Sequence, residues 1–125
     1  MIEFVIPGRP VPAVRMTQKS MYVNKYAKRY LAYKKQVGWI AKQHYKGKPT
    51  DKPIGVNITL YINGGNHGDI DNYAKSLTDS LNKIAYVDDK QIEIMNLKKM
   101  KCEKGEDRAE MSVYELDSLG NTVNH

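Results

Sequence analysis

Along this chain, runs in which apolar residues take every second position are separated by runs in which they recur at helical spacing. Ile2, Phe4 and Ile6 take every second position until Pro7-Gly8-Arg9-Pro10, so the spacing predicts a short strand stopped by a turn. Pro10 and Pro12 keep the next segment out of a helix, and it reads as a surface loop. From Lys25 to Tyr45 the apolar positions Tyr26, Tyr30, Tyr33, Val37, Ile40 and Ala41 follow a helical period, which predicts a first amphipathic helix. Beyond Gly47, Pro49 and Pro53, Val56, Ile58, Leu60 and Ile62 alternate with Asn57, Thr59, Tyr61 and Asn63 as a strand with one buried face. Tyr73, Leu77, Leu81 and Ile84 trace a second helix that begins near Asp71, after the glycine-rich stretch Gly64-Gly65-Asn66-His67-Gly68. Ile92 and Ile94 open another alternating run, and Glu110–Glu115 a last one beyond the polar turn around Lys104–Asp107. These two runs read as a hairpin. The order implies an α+β domain over residues 1–117, a roughly four-stranded mixed sheet with two main helices on one face. Residues 118–125 are expected to be a flexible C-terminal tail.

Composition narrows the partners. A chain of 125 residues suits one domain, small enough that a second subunit could help to bury apolar surface. Cys102 is the single cysteine, which excludes an intrachain disulfide and a cysteine metal cluster and suits a reducing cytoplasm. The start lacks the pattern of a secretory signal and no apolar run is long enough for a bilayer, so a soluble, intracellular protein with no membrane partner is expected. Twenty Lys and Arg against fourteen Asp and Glu leave a net charge of +6. Arg9, Arg15, Lys19, Lys25, Lys28 and Arg29 are interleaved with Met16, Met21, Tyr22 and Tyr26, a loose basic segment suited to nucleic-acid phosphates. The bland alternative is a solubilising surface. Of the tyrosines Tyr22, Tyr26, Tyr30, Tyr33 and Tyr45, Tyr22 is the one placed to stack on an unpaired base; helical spacing makes most of the others core or dimer-interface residues.

Against that basic background five carboxylates crowd together: Asp69, Asp71, Asp79, Asp88 and Asp89. Like charges raise one another's pKa, so such crowding calls for solvent or a cation between them. Asp71, Lys75 and Asp79 fall on successive turns of the second helix, which stands a lysine between carboxylates. Asp89 lies eighteen residues beyond Asp71, roughly 27 Å if all were helix, too far for one ion. A shared site therefore needs either contact between two chains or a helix that ends early, with Asn82 a candidate terminator. Asp69-Ile70-Asp71 begins like a calcium loop, but Ala74 replaces the glycine and Ser80 the bidentate glutamate. The preceding glycines lack the lysine and hydroxyl residue of a phosphate-binding P-loop.

Three segments taken together, Gly68-Asp69-Ile70-Asp71-Asn72-Tyr73-Ala74-Lys75, Asp79-Ser80-Leu81-Asn82 and Val87-Asp88-Asp89-Lys90-Gln91-Ile92, resemble the RusA-type Holliday junction resolvases. The opening Ile6-Pro7-Gly8-Arg9-Pro10-Val11-Pro12 is similar to phage and prophage members. The resemblance reaches from the N-terminus to about Leu97. It implies a homodimeric endodeoxyribonuclease, dependent on Mg²⁺ with Mn²⁺ as a possible substitute, that resolves four-way DNA junctions by paired symmetric nicks in recombination and repair, in the cytoplasm of a bacterial host. Carried over by position, Asp69, Asp71 and Asp89 would bind the metal, and Lys75 would meet the scissile phosphate. Asn72 and Asp88 align with motif neighbours. The family's basic run before the first aspartate is here nearly uncharged, so DNA contacts must come more from the N-terminal loop and first helix.

The chemistry agrees with the resemblance, since phosphodiester hydrolysis needs an activated water and neutralisation of developing charge. Each assignment has a rival. Asp69 or Asp71 could cap the helix, and Lys75 could pair with Asp71 or Asp79. Asp79 reads as structural or solvated rather than catalytic, His67 as an exposed bystander, and Lys98, Lys99 and Lys101 as edge protection. A DNA-binding accessory protein without chemistry is the alternative function.

Overall fold

The computed structural model describes residues 1–15, 24–65 and 68–123; Lys19, Tyr22 and His67 lie outside them. Alternation dictates which side of each strand is buried. In β1 (Ile2–Pro7) Ile2, Phe4 and Ile6 point inward, and in β2 (Ile54–Ile62) so do Ile54, Val56, Ile58, Leu60 and Ile62. Two further strands, β3 (Ile92–Lys101) and β4 (Arg108–Glu115), complete a mixed sheet of order β1-β4-β2-β3. β4 runs antiparallel to both β1 and β2, so Phe4, Met111 and Ile58 form one apolar row and Ile6, Ala109 and Leu60 the next. β2 and β3 are parallel.

Helix α1 (Lys25–His44) starts at Asn24, whose side-chain oxygen accepts from the Tyr26 and Ala27 amides at 2.8 and 3.3 Å. That satisfies two otherwise unpartnered first-turn donors. Its buried Tyr33, Val37 and Ala41 join Tyr73, Ala74 and Leu77 of α2 (Ile70–Ser80) and the inward strand residues in one core. Both expected helices are therefore present, within a residue or so of the predicted starts.

The expected hairpin is not formed. β3 and β4 lie on opposite sides of β2, and Cys102–Asp107 carries the chain past the end of that strand. A period of two specifies a face and leaves the neighbour open. β2, inward-facing along its whole length, is bordered on both sides, whereas Lys98, Met100 and Lys101 of β3 remain exposed, as befits an edge. The second helix also ends early, at Ser80. The left-handed residue in the turn that follows is Lys83 (φ 66°), not Asn82, and the Lys83 amide donates to the Tyr86 carbonyl at 2.6 Å. Tyr86, fully buried, donates its hydroxyl to the Thr78 carbonyl at 2.5 Å and ties the reversed chain to the helix end. Within the expected tail, Leu116 pairs with Thr122 and the Val123 amide donates to the Glu115 carbonyl at 2.9 Å.

Leu77 is fully buried at the contact of α2 with the sheet. Leu77→Ala is expected to lower unfolding free energy by about 2–5 kcal/mol through lost transfer energy and a residual cavity, read as a shifted denaturant midpoint at unchanged slope.

Candidate active site

The two ends of α2 carry two separate acidic groups. At its start, Asp69 occupies the N-cap position in extended conformation, yet its side chain accepts no capping hydrogen bond. Asp71 sits exposed in the first turn. The Asn72 amide closes the turn on the Asp69 carbonyl at 3.1 Å, so the backbone organises this end and leaves the carboxylates unused by it. Neither aspartate forms an ion pair among the described residues, and neither does Lys75 one turn later. The capping and ion-pair alternatives for these three residues therefore find no counterpart in the geometry.

Cationic side chains stand beside this end. Arg9, Pro10, Val11, Pro12, Arg29, Gly68 and Tyr73 line a cleft of about 290 Å³, and the Ala13 amide donates to the Asn72 carbonyl at 2.9 Å, laying the proline-rich segment against α2. Arg9 donates to the Asn63 and Gly64 carbonyls at 2.9 and 2.8 Å and pairs with Asp107 at 3.4 Å. Much of its donor capacity thus clamps the loop after β2. Lys99 of β3 reaches the Gly68 carbonyl at 3.4 Å. Lys25 and Arg29 lie over the exposed Tyr26 ring at 5.1 and 5.6 Å, while Arg15 and Lys28 are exposed.

At the other end, Asp88 and Gln91 form a capping box around the 3-10 turn Asp89–Gln91. Asp88 accepts from the Lys90 amide at 3.0 Å and its own amide donates to the Gln91 side chain at 2.9 Å. Gln91 in turn donates to the Thr50 and Lys52 carbonyls, both at 2.8 Å. The backbone hydrogen bond from Lys90 holds the Asp88 carboxyl below the usual range. Asp89, by contrast, is pushed up to about 6, first by burial and then by hydrogen bonds and repulsion involving Asp88 and Asp79. Tyr30 donates to Asp79 at 3.4 Å, and burial followed by the Asp79 charge raises its phenol to about 12.

Asp89 therefore faces Asp79, whereas Asp69 and Asp71 lie at the opposite end of an 11-residue helix, roughly 16 Å long at its ordinary rise. Among the described residues no group of three or more His, Cys, Asp or Glu is arranged to hold a metal ion. The donor chemistry at the start of α2 still fits a hard divalent cation, which takes one or two carboxylates and completes its shell with water and phosphate oxygens. The chemistry-based reading overlooked Gln91 and Tyr30. Asp88-x-x-Gln91 was a readable capping-box signature; the Tyr30–Asp79 contact joins residues 49 apart and carried no local signal.

A small α+β domain with uncommitted carboxylates beside arginines defines a protein suited to phosphodiester chemistry on a polyanion. The family model for endodeoxyribonuclease RusA matches residues 7–114. The chain belongs to the RusA endodeoxyribonuclease family, whose members bind branched DNA, act on Holliday junctions and generally depend on a divalent metal. No curated protein matches significantly, and no helix among the described residues is long and apolar enough to cross a membrane.

The raised Asp89 carboxyl makes a stability prediction. The folded state holds this proton more tightly than the unfolded chain, so its contribution is fully present below about pH 4 and is lost as pH rises through about 6. In EDTA, Asp79→Asn is expected to flatten that decline in thermal melts between pH 4 and pH 7; an unchanged profile would remove Asp79 as the cause.

Proposed function

We propose that this chain resolves four-way DNA junctions as a homodimer by paired symmetric nicks, with Mg²⁺ as the working ion and Mn²⁺ able to replace it. The setting would be recombination and repair in the cytoplasm of a bacterial cell, from a phage or prophage gene. The observation that carries this reading is the pair of carboxylates Asp69 and Asp71 at the start of α2, which with Lys75 one turn on form no ion pair among the described residues.

Asp69 and Asp71 would hold the cation, which when bound makes water nucleophilic near neutral pH and offsets charge on the phosphoryl oxygens. Lys75 would place its ammonium on the scissile phosphate and neutralise charge as the new P–O bond forms and the old one breaks. Arg9, Arg15, Lys19, Lys25, Lys28 and Arg29 would hold the phosphates of the arms, releasing counterions. Because Asp89 faces Asp79 within its own chain, contact between two protomers is the route by which it would join Asp69 and Asp71. A two-fold dimer matches a two-fold junction, with one site for each nicked strand.

On a synthetic four-way junction, cleavage is expected only with Mg²⁺ or Mn²⁺. Asp71→Asn should abolish it while junction binding survives or tightens, because a repelling charge is lost. Lys75→Ala should slow the single-turnover rate by about 10²- to 10³-fold with little change in affinity. Wild-type cleavage by Asp71→Asn would sink the site assignment. Mixing Asp71→Asn with Asp89→Asn tests the shared site: if each site draws on both chains, heterodimers regain one intact site and about a quarter of all sites recover. Sites built within one chain would recover none.

A further inference from the structure

A second cationic surface lies away from the N-terminal basic segment. Between α1 and the turn after α2, Leu31, Lys34, Lys35, Gly38, Trp39, Lys42 and Ile84 line a groove of about 530 Å³, with Asp79 and Ser80 at its edge. It continues into a second groove that shares Lys42 and Ile84 and adds Lys46 and Lys83. The floor is apolar and tightly set: a Cβ at Gly38 would press on the Ile84 side chain at 3.2 Å. Five lysines border this track and one carboxylate, Asp79, belongs to it. None of the five forms an ion pair among the described residues; Lys34 lies over the Tyr30 ring at 5.3 Å. Trp39, the chain's single tryptophan, is 65 % exposed here, an unusual placement for the largest aromatic side chain.

We propose that this track is a DNA-binding surface in which Lys34, Lys35, Lys42, Lys46 and Lys83 hold the sugar–phosphate backbone of a junction arm and the Trp39 indole stacks on an unpaired base at the branch. The inference rests on branched DNA being the substrate. Charge selects this occupant over a second copy of the chain: two such faces meeting across a two-fold axis would oppose lysine rows, whereas a phosphate backbone neutralises them. Base stacking tolerates any sequence, which suits a ligand defined by shape. The track borders Asp79 and Ser80, so a strand lying in it would pass the C-terminal end of α2.

Emission excited at the red edge of the absorption band, where the nine tyrosines do not absorb, reports on Trp39 alone, so full-length protein in EDTA is titrated with a four-way junction and with a matched linear duplex. The junction should quench the emission strongly and the duplex weakly. Trp39→Ala should weaken junction binding roughly 5- to 100-fold, with Trp39→Phe recovering most of it. Lys35→Ala with Lys42→Ala should make the log–log salt slope shallower by about 1.8. Unquenched emission with unchanged affinity and slope would overturn the proposal. So would a blue-shifted Trp39 in the DNA-free protein together with dissociation of Trp39→Ala to monomers in sedimentation, because the face would then be a protein interface. Binding without cleavage on restoring Mg²⁺ would count against the catalytic reading and leave this surface standing; normal cleavage with inert lysine and tryptophan variants would do the reverse.

Discussion

The seating of α2 across the sheet is the contact on which the rest of the molecule depends. Tyr73, Ala74 and Leu77 press into the same core as Ile58 and Leu60 of β2, and the burial of those side chains fixes the helix axis. Once it is fixed, everything polar on the helix has an address. Asp69, Asp71 and Lys75 face solvent at the start and middle, while Asp79 lies at the far end within reach of Tyr30 and Asp89. The connection that makes this possible is a parallel crossover between neighbouring strands, β2 to α2 to β3, which must carry the chain back along the strand direction and therefore sets the two helix ends a helix length apart.

Electrostatics divides the five aspartates into distinct jobs. Asp88 is spent on the backbone: the hydrogen bond from the Lys90 amide lowers its pKa, and through Gln91 the turn is anchored to Thr50 and Lys52. That anchoring carries Asp89 into partial burial beside Asp79, where negative charge is costly. Asp69 accepts no capping hydrogen bond, and neither it nor Asp71 forms an ion pair among the described residues. A basic chain tolerates these carboxylates because its cations lie along neighbouring surfaces, Arg9 and Arg29 by one end of α2 and Lys34, Lys35 and Lys42 by the other.

How much of this was legible depended on the range of the interaction. The core strands and helices were readable because each side chain's face follows from its neighbours two or four positions away; Ile2, Phe4, Val56, Leu60 and Leu77 are all buried as the pattern predicts. The hairpin of β3 and β4 was misread because both strands suit a neighbour equally well by pattern, and the long apolar face of β2 claimed a partner on each side. The motif that carries the family resemblance named the aspartates, and the match over residues 7–114 bears out the family. Which of them lie near one another was beyond local reading, since Tyr30 with Asp79, and Gln91 with Thr50, are contacts between distant segments.

Sequence by itself determined the fold class, the amphipathic faces, the acidic motif and the basic character of the surface, because periodicity, turn chemistry and charge act over a few residues and survive without knowledge of the whole. Only the tertiary structure decided that β2 is central, that Asp89 is turned toward Asp79 and that Trp39 stands exposed among lysines. Those outcomes depend on how one packed helix and one crossover place segments far apart along the chain, and a closure of that length leaves no mark on the local pattern.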